Sequence, residues 1–236
     1  LITGTNALFK DEARQVLESI QDPKSVAVLE GALRTTKDKR EKIGLANSLA
    51  MQKASSSVVL LAPLTVDSDL EIAIAGIQAL ARIGGPQAIE TLQKAHASSK
   101  VAPALKQDVE EALIIASNGD AEIAQRLYQA TRSDTVRTAA FLAIMKSGTD
   151  GAKTAAIESA LKSDNAELRH AALQNGIRMN LASLQAGLAQ AVEQMPLEDR
   201  LVVLANIHYF KPADVAEKIA LSRAASTEED ERVAAL

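Results

Sequence analysis

Cysteine and tryptophan are absent from the 236 residues, and other aromatics are scarce at three Phe and two Tyr. The missing thiols exclude disulfides, thiolate metal sites and cysteine nucleophiles, while leaving bacterial cytoplasm and envelope equally open. Long apolar runs are missing too. The longest, Val58 to Leu64, has seven residues and contains Pro63, against about 20 for a bilayer-spanning helix. A soluble chain with no membrane insertion is expected. Nor is there an excess of positive charge: 26 basic against 30 acidic residues give a net −4, which disfavours nucleic acid as a partner. No Gly-x-Ser-x-Gly elbow, phosphate loop or dinucleotide fingerprint occurs. Adjacent acids such as Glu110 with Glu111 and Glu228 with Glu229 diverge by about 100° on a helix, so they are expected to be solvated charge. Neither catalysis nor a cofactor is expected.

What is present is small and aliphatic. Hydrophobic residues make up 47% of the chain, and Ala, Leu, Ile and Val supply nearly all of them, as suits closely packed helices. Apolar spacing predicts helix pairs at about 7–20 and 24–34, 38–53 and 55–65, 68–83 and 86–97, 104–117 and 120–131, 134–147 and 150–162, 164–179 and 181–194, and 197–209 and 212–224. Their breaks carry turn residues: Asp22-Pro23, Ala54-Ser55, Gly84-Gly85-Pro86, Asn118-Gly119, Gly148, Asn180 and Pro212. Proline fits a helix's first turn, and glycine its end. Pro63 is expected to end or kink its helix.

The pairs repeat. Taking Ala73 as reference, Lys10, Lys42, Lys106, Arg137, Arg169, Arg200 and Arg232 fall at steps of 31 to 33 residues. Four residues after each reference stand Arg14, Ala46, Ile77, Glu110, Phe141, Leu173, Leu204 and Leu236, and seven after stand Leu17, Leu49, Leu80, Leu113, Ile144, Gly176 and Ile207. A core stripe therefore recurs at helical spacing, with the fourth unit the least regular. Two helices per period of about 32 residues mark an α-solenoid, all-α, with about seven units and a truncated eighth. The chain starts at Leu1, and Glu228 to Leu236 stops where an apolar face begins. Residues 1–236 are accordingly expected to be one repeat array cut from a longer protein.

The clearest unit, Asp69-x-Glu71-Ile72-x-Ile74-Ala75-x-Ile77-x-Ala79-Leu80-x-Arg82-Ile83-Gly84-x-Pro86-x-Ala88, resembles the HEAT repeat family, especially the short bacterial repeats of the phycobilisome-lyase type. Asp164 to Ala172 and Thr135 to Ala140 match in part. These are packing residues, so the resemblance implies a fold. It further implies that an acid opening each first helix pairs with the basic column as a structural ladder, the acids here being Asp38, Asp69, Asp134, Glu167, Glu198 and Glu229. It also implies that second helices line a concave face.

Those second helices carry acid-then-base pairs four apart: Glu30 and Arg34, Glu90 and Lys94, Glu122 and Arg126, Glu158 and Lys162, Asp214 and Lys218. That order suits a solvated helix at about 0.3 kcal/mol per pair. It also suits a mixed-charge surface that reads a partner. His96, His170 and His208 fall in three repeats, without partners at metal-ligand spacing, so no metal is expected. His96 and His170 read as surface residues, and His208 with Tyr209 and Phe210 as packing at a helix end.

The function expected from the sequence is a non-enzymatic scaffold presenting a concave surface to a protein or to another domain of its own chain. One alternative is an accessory lyase-like protein acting on a tetrapyrrole-bearing partner, which scarce aromatics and absent Cys oppose. Another is a nucleic-acid-binding HEAT-like protein, which the charge balance opposes.

Overall fold

The computed structural model describes residues 7–179, 187, 192–211 and 213–235, and among these every regular element is helical. Among the described residues fourteen α-helices are delimited: α1 Ala7–Ser19, α2 Pro23–Thr35, α3 Lys39–Met51, α4 Val58–Leu61, α5 Leu70–Ile83, α6 Gly85–Ala97, α7 Lys106–Ala116, α8 Ala121–Ala130, α9 Asp134–Ser147, α10 Asp150–Ala160, α11 Ala166–Arg178, α12 Leu197–Ala205, α13 Ala213–Ala224 and α14 Glu229–Ala234. The fold is all-α, built from successive helix pairs. The breaks expected at Asn180 and Pro212 and most of the second helix expected at 181–194 lie outside the described residues, and the end of that stretch, Val192–Gln194, is a 3₁₀ turn.

Boundaries follow local chemistry. Asp22, Asp38, Asp69, Asp120, Thr149 and Asn165 each stand before a helix and accept a hydrogen bond from a backbone N–H of its first turn, groups that otherwise lack a partner. Gly84 closes α5 at φ 67°, a left-handed conformation that glycine adopts without Cβ strain, and Pro86 sits in the first turn of α6. The helix expected over 55–65 is broken instead. Tight 3₁₀ turns at Ser55–Ser57 and Ala62–Val66 flank the single turn of α4, with Pro63 inside the second.

The chain packs as two compact units, Leu1–Ala139 and Ala140–Leu236. In the first, the first helices of successive pairs pack side by side, α1 on α3, α3 on α5 and α5 on α7. Their buried faces are the predicted stripe: Ala46, Leu49, Ile77, Leu80 and Leu113 lie in the core. Gly76 permits the α5 approach, since a Cβ there would stand 2.7 Å from the Leu64 Cβ. In the second unit α11 packs on α12 and α12 on α14, around Leu173, Ile177, Val203, Leu204, Phe210 and Ile219.

Two stripe positions are polar, and both are pinned. Arg14 bonds Ser48 at 2.7 Å and Glu18 at 3.0 Å. Glu110 accepts from the Thr131 hydroxyl at 2.6 Å and lies 3.0 Å from His96 Nε2, which accounts for the irregular fourth unit.

Candidate functional site

The second helices hold most of their charges outward, Glu30 excepted, which is largely enclosed and accepts from the Ser57 hydroxyl at 2.7 Å. Glu90 and Lys94 pair at 2.6 Å, Glu30 and Arg34 at 3.5 Å, and Asp214 and Lys218 at 3.9 Å. Glu122, Arg126, Glu158 and Lys162 are exposed, and Lys162 stands beyond the end of α10. Between neighbouring second helices, α4 with its flanking turns and α6, runs a groove of about 400 Å³. Val59, 68% exposed, and Val66 line one wall, and Gln87, Glu90, Thr91 and Lys94 the other.

The basic column does two things at once. Backwards, it donates to carbonyls that end the preceding helix or loop: Lys106 to His96 and Ser98, Arg137 to Thr131, Arg169 to Ser163 and Asp164, Arg200 to Met195, and Arg232 to Ser226 and Thr227. Cations are favoured there because helix C-terminal carbonyls are unpaired and carry partial negative charge. Forwards, Lys10 meets Glu41 at 2.8 Å, Lys42 lies 3.8 Å from Asp67, Arg169 meets Asp199 at 2.8 Å and Glu198 at 3.0 Å, and Arg200 meets Glu231. Three of these forward partners, Glu41, Asp199 and Glu231, stand immediately before the next basic position. Of the acids expected as partners, Glu198 does take Arg169, whereas Asp38 and Asp69 cap their own helices, Asp69 also taking Lys39 at 2.8 Å. Asp134 pairs within its own turn with Arg137 at 3.0 Å.

Glu231 is the most enclosed of these acids. Burial pushes its carboxyl up, but the Ser226 hydroxyl, the Arg200 bond and the charges of Arg200 and Arg223 outweigh burial and hold it below its ordinary 4.5. A depressed folded pKa means stability that is present above 4.5 and lost as pH falls through the folded value. Urea midpoints measured against pH are therefore expected to fall less steeply below pH 4.5 in Glu231→Gln than in the parent chain. Parallel curves would sink this assignment.

One stretch of the column brings chemistry together. Arg169 and His170 are successive residues of α11, so their side chains leave the helix about 100° apart, and the following first helix, α12, presents Glu198 and Asp199 in its first turn. Arg169 Nε holds Asp199 Oδ2 and its Nη2 holds Glu198 Oε1. That bond to Asp199 raises the pKa of a guanidinium that is cationic in any case. The other Asp199 oxygen, Oδ1, lies 2.9 Å from His170 Nε2. Both atoms are buried, yet neither has a partner in hydrogen-bond geometry. They are close without being aimed at each other. One donor atom each from His170, Glu198 and Asp199 lie within 4.8 Å of one another, a grouping able to hold a metal ion.

His170 is thus half-buried rather than a plain surface residue, and His96 is held by Glu110. His208 is exposed rather than packed in the core: its ring lies 4.0 Å from that of Tyr209 at a tilt of 41°, Arg178 lies 5.4 Å over the Tyr209 ring, and only Phe210 of that trio enters the core.

No family model matches the chain, and no curated protein does. Among solved structures it is similar to human deoxyhypusine hydroxylase in complex with glycerol, at 15% identity and a TM-score of 0.44, over 98% of this chain and 89% of that one. Among the described residues no helix is long and apolar enough to cross a membrane. Two sequence expectations are corrected here. Among the described residues His170, Glu198 and Asp199 form a metal-capable group, which overturns the expectation of no metal and, with it, the exclusion of catalysis.

Proposed function

We propose that the chain serves as a helical-repeat scaffold that holds a polypeptide segment along its second helices, in the groove between α4 and α6. The supporting observation is the pairing within that groove of exposed Val59 with the exposed Glu90–Lys94 pair opposite. An apolar side chain set on Val59 loses water contact, while neighbouring charges choose sequence and register more than they add affinity. The segment that fits carries one aliphatic or aromatic anchor beside a charged residue. The resemblance of 69–88 to HEAT-like repeats supports the same reading.

Peptides selected from a displayed random library on the purified chain test it. Selected peptides should contain that anchor-plus-charge pattern and bind about tenfold or more weakly to Val59→Glu and to the swapped pair Glu90→Lys with Lys94→Glu. Equal binding to all three chains would place the interaction elsewhere and overturn the proposal.

A further inference from the structure

We propose that His170, Asp199 and Glu198 form a binding site for a first-row divalent transition-metal ion, bridging two successive first helices, α11 and α12. The site is independent of the peptide groove.

Burial and misalignment carry the inference. Asp199 keeps only 5% of its side chain exposed, and a buried carboxylate oxygen without a hydrogen bond is costly. Two such atoms, Asp199 Oδ1 and His170 Nε2, converge here. A cation between them satisfies both lone pairs at once, which a single proton out of line between them does not. Arg169 supports this arrangement from behind. By engaging Asp199 Oδ2 and Glu198 Oε1 it holds both carboxylates in place and leaves Asp199 Oδ1 beside the imidazole, in the manner of outer groups that orient metal ligands. Its charge also offsets part of the pair's negative field, which weakens any purely electrostatic hold on a cation.

Donor chemistry selects the ion. One imidazole nitrogen and two carboxylate oxygens suit zinc, cobalt, iron or manganese, whereas calcium takes roughly six to eight oxygens. Ligands at about 2.1 Å in a tetrahedral shell stand roughly 3.4 Å apart. The 2.9 Å His170–Asp199 separation opens by a few tenths of an ångström to reach that. Glu198 already offers one oxygen within 4.8 Å of the other two donor atoms. Three protein ligands then leave a coordination position for water or substrate.

Cobalt(II) titration of the whole chain, followed by visible absorption and with zinc as competitor, tests the site. The expected result is one ion per chain and a ligand-field band that zinc removes. His170→Gln and Asp199→Asn should each weaken binding by about tenfold or more with an unchanged far-ultraviolet spectrum, while His96→Gln leaves it intact. His170 is partly exposed, so His170→Gln decides the matter if Asp199→Asn fails to fold. Dissociation constants above about 1 mM, or binding that survives His170→Gln undiminished, would overturn the site.

Discussion

Leu80→Ala is expected to lower the free energy of unfolding by about 2–5 kcal/mol, the range for removing a fully buried leucine and leaving a cavity. Leu80 has no exposed surface and lies on the face of α5, the helix that packs against both α3 and α7. Losing its side chain therefore opens a cavity at the helix that joins two neighbouring repeats. Collapse around the gap is limited, because Gly76 already brings the α5 backbone against Leu64 and Thr65. Urea unfolding of parent and variant measures the difference. A change below about 0.5 kcal/mol, typical of surface substitutions, would mean that this face of α5 is not core.

Arg169→Ala is expected to cost about 3–5 kcal/mol, as when one partner of a buried ion pair is removed and the other stays behind. Asp199 is left enclosed beside His170, and the Ser163 and Asp164 carbonyls lose their donor. Arg169→Lys should recover only part of the loss, since an ammonium is a point charge and cannot span two carboxylates and two carbonyls as the planar guanidinium does. The double variant Arg169→Ala with Asp199→Asn should be less destabilised than the two single losses added together, because the uncompensated charge is gone. Additive losses would show that Arg169 and Asp199 act separately.

Particular residues show how much of this was legible beforehand. The stripe of Ala46, Leu49, Ile77, Leu80 and Leu113 was visible because its members stand three and four apart, one helical turn, and the backbone carries that spacing wherever the helix is placed. Asp69 and Gly84-Gly85-Pro86 were visible because capping and turning need only a residue's own neighbours. Pro63 was legible as a break in the helix expected at 55–65, whereas the three serines form a tight turn before α4 that apolar spacing does not register.

The forward ladder was half legible. Its cations were found by period, and of the acids sought at helix starts Glu198 does meet Arg169, but Arg169 and Arg200 also reach the acid standing just before the next cation. Listing that single position in each repeat would have found Glu41, Asp199 and Glu231.

The sequence by itself determined an all-helical chain of paired repeats, since helix period, caps and breaks are local properties written within a few residues. Only the tertiary structure decided which distant residues meet. His170 and Asp199 are 29 positions apart, and no spacing rule within one helix joins them. Stacking sets one first helix against the next, so a full repeat of chain becomes a 2.9 Å separation. That contact turns two solitary side chains into a place where an ion can sit.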